Sequence, residues 1–264
     1  MSKGEAFHGV TITDEGAVAV LSLQNSARRN AMSLQMREQL IERLRDAMCS
    51  SQYRAIVITG SDGHFCAGGD MRSAEIDNGP EPLRTSGNAL PLQEIVRLIA
   101  TGPKPVVAAV EGAAAGAGFS LAAACDIVVA SESAKFCASF SKVGLMPDMG
   151  ILWSLPRRVG SSKANHILLT ATNVLAEEAL RIGLVDEIAA EGAALQAAIE
   201  RAQALTKIAP LSLAATKSVM SRSQELEAVL AAERQIQPLL TLSDDYLEGR
   251  SAFINRRLPE FSGK

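Results

Sequence analysis

The sequence has few aromatic residues, no excess of basic residues and no long apolar run. Aromatic side chains make up 4% of its 264 residues, which argues against the stacking surfaces that bind single-stranded nucleic acid. The net charge of −3 offers no positive field to attract nucleic acid or an anionic membrane. No stretch approaches the roughly 18 apolar residues of a membrane-spanning helix, and MSKGEAFHG lacks the apolar core of a signal peptide. We therefore expect a cytoplasmic protein without nucleic-acid or membrane partners.

Several signatures of metal and nucleotide chemistry are also missing. The four cysteines (Cys49, Cys66, Cys125 and Cys137) show no CxxC spacing and have no histidine at ligand spacing. We expect free thiols in a reducing compartment and no metal site. There is no GxSxG, HExxH or P-loop motif, and GAGFSL (116–121) matches only the first two glycines of a dinucleotide-binding loop.

The residues that are present predict alternating strands and helices. Alternating apolar residues around a turn at 14–16 predict a β-hairpin over 9–23, and Ser33 is suited to cap the helix that follows it. Short apolar runs at 55–60, 105–112 and 126–130 predict buried strands, which together indicate a layered α/β fold. From about residue 161 the pattern is helical, with a further helix starting at Pro210. The proline- and glycine-rich segment 77–91 predicts a mobile surface loop.

Two loops made of small residues each follow a predicted strand. One is HFCAGGDM (64–71), and in the other every residue from Gly112 to Gly118 is Gly or Ala. Such loops bring bare backbone N–H groups close to a ligand, and two convergent N–H donors form an oxyanion hole. Close packing of a helix on a strand requires the same small residues, so composition alone does not decide between the two.

Taken together, these stretches resemble the enoyl-CoA hydratase/isomerase (crotonase) superfamily. The resemblance rests on HFCAGGD, PKPVVAAVEGAAAGAGFSLAAACDI, AKFCASFSKVGLMPDMG, LPRRVG, LTATNVLAEEALRIGLVDEI and the tail EGRSAFINRRLPEFSGK. It implies a ClpP-like spiral of ββα units with a helical C-terminal region, divided here into a core at 1–205 and an oligomerisation region at 206–264. It also implies a homotrimer or dimer of trimers, an acyl-CoA thioester as substrate, and no cofactor other than the coenzyme A of that substrate.

The resemblance assigns roles to individual residues. The oxyanion donors fall on the backbone N–H groups of Gly69 and Ala117, and Phe140 falls at the acyl pocket, which we also expect Trp153 to shape. The other assigned positions contact coenzyme A: the carbonyl of Ala67 at the adenine, the loop of Ala27, Arg28 and Arg29 at the nucleotide, and Phe253 and Arg256 at a neighbouring subunit's ligand. A solvated surface is an equal alternative for Arg28 and Arg29.

Two positions depart from the superfamily's hydratases. Those enzymes use two glutamates, and the matching positions here hold Ser120 and Phe140. Hydration of a double bond needs a base for the water and an acid for the α-carbon, and neither side chain can serve. Ordinary hydratase chemistry is therefore in doubt.

One carboxylate remains in the apolar stretch SFSKVGLMPDMG (139–150), namely Asp148. The stretch is similar to isomerases of the superfamily that rearrange a ring epoxide of phenylacetyl-CoA and shift enoyl-CoA double bonds. A lone carboxylate can move a proton from one carbon to another, and desolvation by neighbouring apolar residues should raise its pKa. The alternative is a helix cap, because Asp is favoured before a helix such as MGILWSLPRRV.

We therefore predict an acyl-CoA isomerase with Gly69 and Ala117 as the oxyanion hole and Asp148 as the acid/base. The alternatives are a hydratase whose base is unidentified, for example in the acidic segment 75–81, and a non-catalytic acyl-CoA-binding protein. A dehalogenase of the superfamily also uses an aspartate at this position, but its partner Trp and His are replaced here by Phe140 and Gln93. An RNA-binding role is disfavoured because the first helix mixes Arg with Glu and Asp.

Overall fold

The computed structural model describes residues 8–70, 82–143, 145–222, 243–255 and 257–264. Within these ranges the chain forms nine β-strands: β1 (Gly9–Glu15), β2 (Val18–Gln24), β3 (Ala55–Gly60), β4 (Val106–Val110), β5 (Ala113–Ala115), β6 (Ile127–Ser131), β7 (Lys135–Cys137), β8 (Asn173–Leu175) and β9 (Glu187–Ala189). The same ranges hold nine α-helices: α1 (Leu34–Cys49), α2 (Pro82–Thr101), α3 (Ala117–Ala124), α4 (Ile151–Val159), α5 (Ser161–Thr170), α6 (Ala176–Arg181), α7 (Ala194–Thr206), α8 (Pro210–Arg222) and α9 (Asp244–Ile254). Two short 3-10 helices span Ser26–Arg28 and Ser139–Val143.

The strands form two sheets. The larger sheet has six strands in the order β1-β2-β3-β4-β6-β9, and a second sheet has three in the order β5-β7-β8. In the larger sheet only the β1–β2 hairpin is antiparallel, and each later neighbour is parallel to the one before it. The predicted α/β class, the hairpin and the three buried strands are therefore confirmed.

The larger sheet is covered on both faces, which explains why its strands are almost continuously apolar. Val57, Val107 and Val129 pack with Ala198 and Ala202 of α7 on one face. The alternate residues of the same strands point to the other face, where they join the main core with apolar side chains of α1, α2 and α3. The sheet is thus packed between helices on both faces, and the loops at the ends of its strands are anchored to this core.

The first helix forms for the reason expected from its sequence. The Ser33 hydroxyl accepts a hydrogen bond from the Met36 N–H at 3.2 Å, which caps α1. Met36, Leu40 and Leu44 recur at helical spacing and are buried. The opposite face is left to polar and charged residues.

The prediction of a surface loop over 77–91 is wrong for residues 82–91, which belong to α2. Pro82 is the first residue of that helix, where a missing N–H costs no hydrogen bond. Leu92, Ile95 and Ile99 then bury a helical stripe in the core. Packing of this stripe favours a helix that continues back through Pro91 despite the local proline and glycine content. Residues 77–81 lie outside the described ranges.

In the described residues after 161, α5 to α9 agree with the predicted helical pattern, and α8 begins at Pro210. The short strands β8 and β9 also lie in this region, and the prediction missed them. The division of the chain at residue 205 stays a prediction. None of the helices in the described ranges combines the length and the apolar content needed to cross a bilayer.

Candidate active site

The two small-residue loops lie side by side. The Cys66 N–H donates to the carbonyl of Ala113 at 3.1 Å, and the Ala115 N–H donates to the carbonyl of Cys66 at 2.9 Å. A Cβ placed on Gly118 would lie 2.2 Å from the Cys66 carbonyl oxygen, so any larger residue there would push the loops apart. The small residues therefore do serve close packing, and this packing is what brings the two loops together.

The backbone N–H groups of Gly69 and Ala117 are both available at this junction. Ala117 is the first residue of α3, where no helical carbonyl is in reach of its N–H. Among the described residues, neither N–H donates to a carbonyl or side chain. The connecting backbone needs glycine, since Gly68 and Gly116 have positive φ angles of 108° and 49°. Two unused donors beside the N-terminus of a helix suit a developing negative charge.

Asp148 lies in the loop between the 3-10 helix Ser139–Val143 and α4. Its backbone carbonyl accepts a hydrogen bond from the Ser120 hydroxyl of α3 at 3.0 Å, which fixes this loop next to the helix that starts at Ala117. Its side chain is half-buried, and the Oδ1 atom has no hydrogen-bond partner within the described structure. An unpaired buried carboxylate oxygen is costly, and such a cost is typical of functional groups.

The helix-cap alternative for Asp148 does not fit the structure. The residue that caps α4 is Gly150, and no side chain donates or accepts at this cap. Burial raises the pKa of Asp148 above its ordinary value, while the charge of Arg37 and a backbone hydrogen bond act in the opposite direction. The net effect is a carboxylate more basic than one in water.

No other acid or base replaces the two hydratase glutamates at their matching positions. Ser120 is fully buried and bonded, and Phe140 is buried at 5% exposure. Cys66 is also buried, and burial raises the pKa of its thiol to about 12. A thiol with that pKa is protonated at neutral pH and is a poor nucleophile.

Comparison with known proteins agrees with this geometry. Residues 13–264 match the family model described as "Enoyl-CoA hydratase/isomerase". The chain belongs to the enoyl-CoA hydratase/isomerase family. It therefore has the crotonase fold, and the resemblance seen in its sequence is confirmed.

Two curated members of the family show the range of its activities. The chain is 36% identical to the 1,2-epoxyphenylacetyl-CoA isomerase of Escherichia coli K12 over 95% of its own length and 97% of that protein. It is 37% identical to the 2,3-dehydroadipyl-CoA hydratase of the same organism, over 96% and 98% of the two chains.

A solved structure, an enoyl-CoA hydratase from Polaromonas sp. JS666, has a TM-score of 0.91 and 38% identity to this chain. The superposition covers 96% of this chain and 100% of the Polaromonas chain. Members of the hydratase/isomerase family act on acyl-CoA thioesters, and this chain is an enzyme of that family. Sequence identity alone does not distinguish isomerase from hydratase activity, because the two E. coli relatives are 36% and 37% identical to this chain.

The loop predicted to contact the nucleotide lies against the Gly68–Gly69 loop. The Ala67 N–H donates to the carbonyl of Arg29 at 2.9 Å, and Ala27, Arg28 and Arg29 are exposed residues at or next to the 3-10 helix. Arg28 is already engaged, because its Nη1 donates to both oxygens of Asp70 at 2.7 and 2.6 Å. Asp70 is buried, so this ion pair braces the loop that carries Gly69.

Some of the residues predicted to bind coenzyme A or to take part in catalysis lie outside the described part of the structure. Phe253 lies on α9, but its side chain is not described, and Arg256 is outside the described residues. The acidic segment 75–81 is also outside them. Within the described residues, no cluster of His, Cys, Asp and Glu could hold a metal ion.

Trp153 lies on α4, and its place in the acyl pocket stays a prediction. Its ring carries the Arg157 guanidinium at 4.6 Å from the ring centre. It lines a separate cavity of about 530 Å³ between the C-terminal part of α3, α4 and α8. None of the residues predicted to bind coenzyme A or to act on the acyl group lines this cavity.

Two residues at the site were missed by sequence reasoning. Asn30 is fully buried at a positive φ of 57°, and its Nδ2 donates to the carbonyls of Ser61 (2.9 Å) and His64 (2.7 Å). It thereby joins the nucleotide loop to the loop after β3. The other missed residue is Arg37 of α1. Its charge lowers the pKa of Asp148, against the larger effect of burial. An asparagine that links two loops belongs to no helical or strand periodicity, so the sequence does not reveal it. An arginine in a helix that mixes positive and negative charges is expected to be exposed to solvent.

Proposed function

We propose that this enzyme is an acyl-CoA isomerase in which Asp148 is the only acid/base and the Gly69 and Ala117 N–H groups bind the thioester oxygen. The observation that carries the proposal is the half-buried Asp148 carboxylate, whose Oδ1 atom has no hydrogen-bond partner in the described structure. Coenzyme A is part of the substrate, and no further cofactor is needed. The homotrimer or dimer of trimers and the cytoplasmic location remain predictions.

The chemistry follows from these three groups. With a 3-enoyl-CoA, the Asp148 carboxylate takes a proton from C2, and the electrons move to the thioester oxygen to give a dienolate. Two N–H donors held in place by the loops stabilise that charge, each worth a few kcal/mol, by analogy with other oxyanion holes. The protonated Asp148 then returns the proton to C4, the double bond moves to C2–C3, and the mass is unchanged.

Isomerisation is favoured over hydration because it needs one proton carrier. Hydration needs a base for the attacking water and an acid for C2 at the same time. At the positions of the two hydratase glutamates this chain has buried Ser120 and Phe140. Rearrangement of a ring epoxide, which the name of one E. coli relative describes, is compatible with the same single carboxylate.

The test is an assay of the purified protein with 3-enoyl-CoA and with 2-enoyl-CoA, followed by ultraviolet absorbance and mass spectrometry. We expect a double-bond shift without change in mass, reduced at least about 100-fold in Asp148→Asn. Asp62→Asn is the matched control, since Asp62 is exposed and its positive φ of 53° suits asparagine.

Two outcomes would contradict the proposal. A gain of one water that survives Asp148→Asn would indicate a hydratase with a different base. A folded protein that binds acyl-CoA without turnover, with wild-type and Asp148→Asn protein alike, would indicate a binding protein.

A further inference from the structure

The cavity beside Trp153 has no part in the proposed reaction, since Gly69, Ala117 and Asp148 do not line it. We propose that this cavity is a second ligand site, which binds a small carboxylic acid with an apolar chain, such as a medium-chain fatty acid. The inference goes beyond the proposed function, because binding here needs neither a thioester nor an acid/base.

The cavity lies at the far end of α3 from the candidate active site. Ala117, the proposed oxyanion donor, is the first residue of α3, whereas its last two residues, Ala123 and Ala124, line the cavity. Seven residues of helix separate the two ends, which corresponds to about 10 Å. A ligand in the cavity would therefore not occupy the place of the thioester oxygen.

The size and the walls of the cavity suit a small apolar molecule. Its volume of about 530 Å³ is typical of sites that hold small ligands. The apolar part of the wall includes Ala100, Pro105, Ala123, Ala124, Ile127 and Leu213. An alkyl chain or an aromatic ring buried against this wall would be stabilised by the hydrophobic effect, which sets no strict orientation.

Ser154 of α4 provides a polar group in this wall. The residue is only 3% exposed, and its hydroxyl has no hydrogen-bond partner in the described structure. A serine in a helix can bond to the carbonyl four residues earlier, but here the Gly150 carbonyl already accepts the N–H groups of Trp153 and Ser154, both at 2.9 Å. Because a serine hydroxyl turns about a single bond, a ligand oxygen in the cavity could satisfy it.

Arg157 provides a positive charge that no carboxylate of the described residues neutralises. Its guanidinium lies over the Trp153 ring at 4.6 Å from the ring centre, and its Nη2 donates to the Met220 carbonyl of α8. A guanidinium stacked on an aromatic ring keeps its remaining N–H groups in the plane of the stack, where they can bind a carboxylate. Arg157 is exposed, so the bound carboxylate would remain in contact with solvent.

The other charged residues of the wall form ion pairs with each other. Arg158 pairs with Asp186 at 3.1 Å, and Lys217 pairs with Asp126. These two pairs are neutral overall, so the charge that remains among the described wall residues is that of Arg157. A cavity with one net positive charge favours an anion over a neutral or cationic ligand.

The combination of groups indicates one class of ligand. A single cation and a single hydroxyl match the two oxygens of one carboxylate, and the apolar walls match its chain. A nucleotide or another polyanion would bring several negative charges to one arginine, and a purely apolar molecule would leave both polar groups unused.

The test is a titration with octanoate, followed by tryptophan fluorescence. Trp153 is the only tryptophan in the chain, so the signal reports directly on this cavity. We expect a saturable change whose Kd increases about 3- to 10-fold in Arg157→Gln and by a smaller factor in Ser154→Ala. Octan-1-ol is the uncharged control, and Arg157→Gln should leave its binding unchanged. Isothermal titration calorimetry gives the same Kd where a variant alters the starting fluorescence.

Two further variants separate this cavity from the rest of the surface. Thr216→Phe should fill the cavity and weaken octanoate binding by at least about 10-fold, and Thr216 is an exposed residue of α8, so the fold should tolerate the change. Arg45→Gln is the matched control, because Arg45 of α1 is exposed, pairs with Glu94 at 3.1 Å and does not line the cavity. Circular dichroism confirms that each variant is folded.

Three outcomes would overturn the proposal. The first is the absence of a saturable change with octanoate. The second is saturable binding that Arg157→Gln and Thr216→Phe both leave unchanged, which would place octanoate elsewhere. The third is full competition by octanoyl-CoA, a saturated thioester in which there is no double bond to move, because the octanoate would then occupy the acyl site.

This test and the test of the proposed function are independent, since binding is measured without turnover. Octanoate binding in the cavity together with an inactive enzyme would contradict the isomerase assignment alone. An active isomerase without octanoate binding would contradict the second site alone.

Discussion

The hydroxyl of Ser120 donates a hydrogen bond to the backbone carbonyl of Asp148 at 3.0 Å. The family's hydratases carry a catalytic glutamate at the position of Ser120, according to the resemblance in its sequence. Here the residue at that position holds the loop that carries the remaining carboxylate. The residue that replaces the glutamate, Ser120, therefore helps to position the remaining carboxylate, Asp148, through a single hydrogen bond.

Replacing Ser120 by alanine should loosen Asp148 without altering its chemistry. The variant loses a buried hydrogen bond, which costs about 1 kcal/mol of stability, and leaves little empty space. We expect kcat for the isomerisation to fall by roughly 3- to 10-fold, because a small displacement of a catalytic group is felt strongly in the rate. Steady-state kinetics and thermal unfolding measure the two effects. An unchanged kcat with reduced stability would mean that the hydrogen bond supports only the fold.

Asp148→Asn should make the protein more stable near neutral pH while it removes activity. The pKa of Asp148 is raised in the folded protein, mainly by burial. Between the unfolded and folded pKa values the native state holds a proton that the unfolded chain has released, so stability decreases as pH rises through this window. Above it the full cost of burying the charge remains, and asparagine avoids that cost.

We therefore expect a higher melting temperature for Asp148→Asn than for wild type at pH 7–8. The difference should shrink as the pH falls toward about 4, the ordinary pKa of an aspartate. Thermal unfolding at a series of pH values measures it, with Asp62→Asn as the surface control. A lower melting temperature at neutral pH would show that Asp148 stabilises its loop, which is the opposite of a strained catalytic group.

The parts of the site that sequence reasoning identified are those set by backbone and composition. Gly69 and Ala117 lie in runs of small residues after apolar strands, which can be read from the sequence. Their role as oxyanion donors is implied by the family resemblance and stays a prediction. The close approach of the loops at Gly118 follows from the same small residues. Asp148 was identifiable because a carboxylate is out of place in an apolar stretch.

The parts that were missed depend on contacts between segments distant in the chain. The charge of Arg37 lowers the pKa of Asp148, which lies more than 100 positions away, and Asn30 donates to carbonyls of a loop more than 30 positions away. Neither interaction can be recognised from the local composition. The helix over residues 82–91 was missed for a related reason, since buried packing of the later residues of α2 outweighs the local preference for a loop.

The two neighbouring arginines, Arg28 and Arg29, should behave differently when neutralised. Arg29 is exposed, whereas Arg28 forms a two-oxygen ion pair with buried Asp70. We expect Arg29→Gln to raise KM for acyl-CoA by about 3- to 10-fold with little change in kcat, because a single exposed charge–phosphate contact contributes about 1 kcal/mol. The effect should disappear with an acyl-pantetheine substrate, which lacks the nucleotide phosphates.

Arg28→Gln should instead act through the loop. It leaves the Asp70 carboxylate without this ion pair, and we expect a loss of about 2 kcal/mol of stability, since hydrogen bonds to charged groups contribute about that much. Because Asp70 follows Gly69 directly, kcat should fall for acyl-CoA and acyl-pantetheine alike. A rise in KM that is confined to acyl-CoA in Arg28→Gln would mean that Arg28 leaves Asp70 to bind the nucleotide, and the ion pair would then be a feature of the unliganded enzyme.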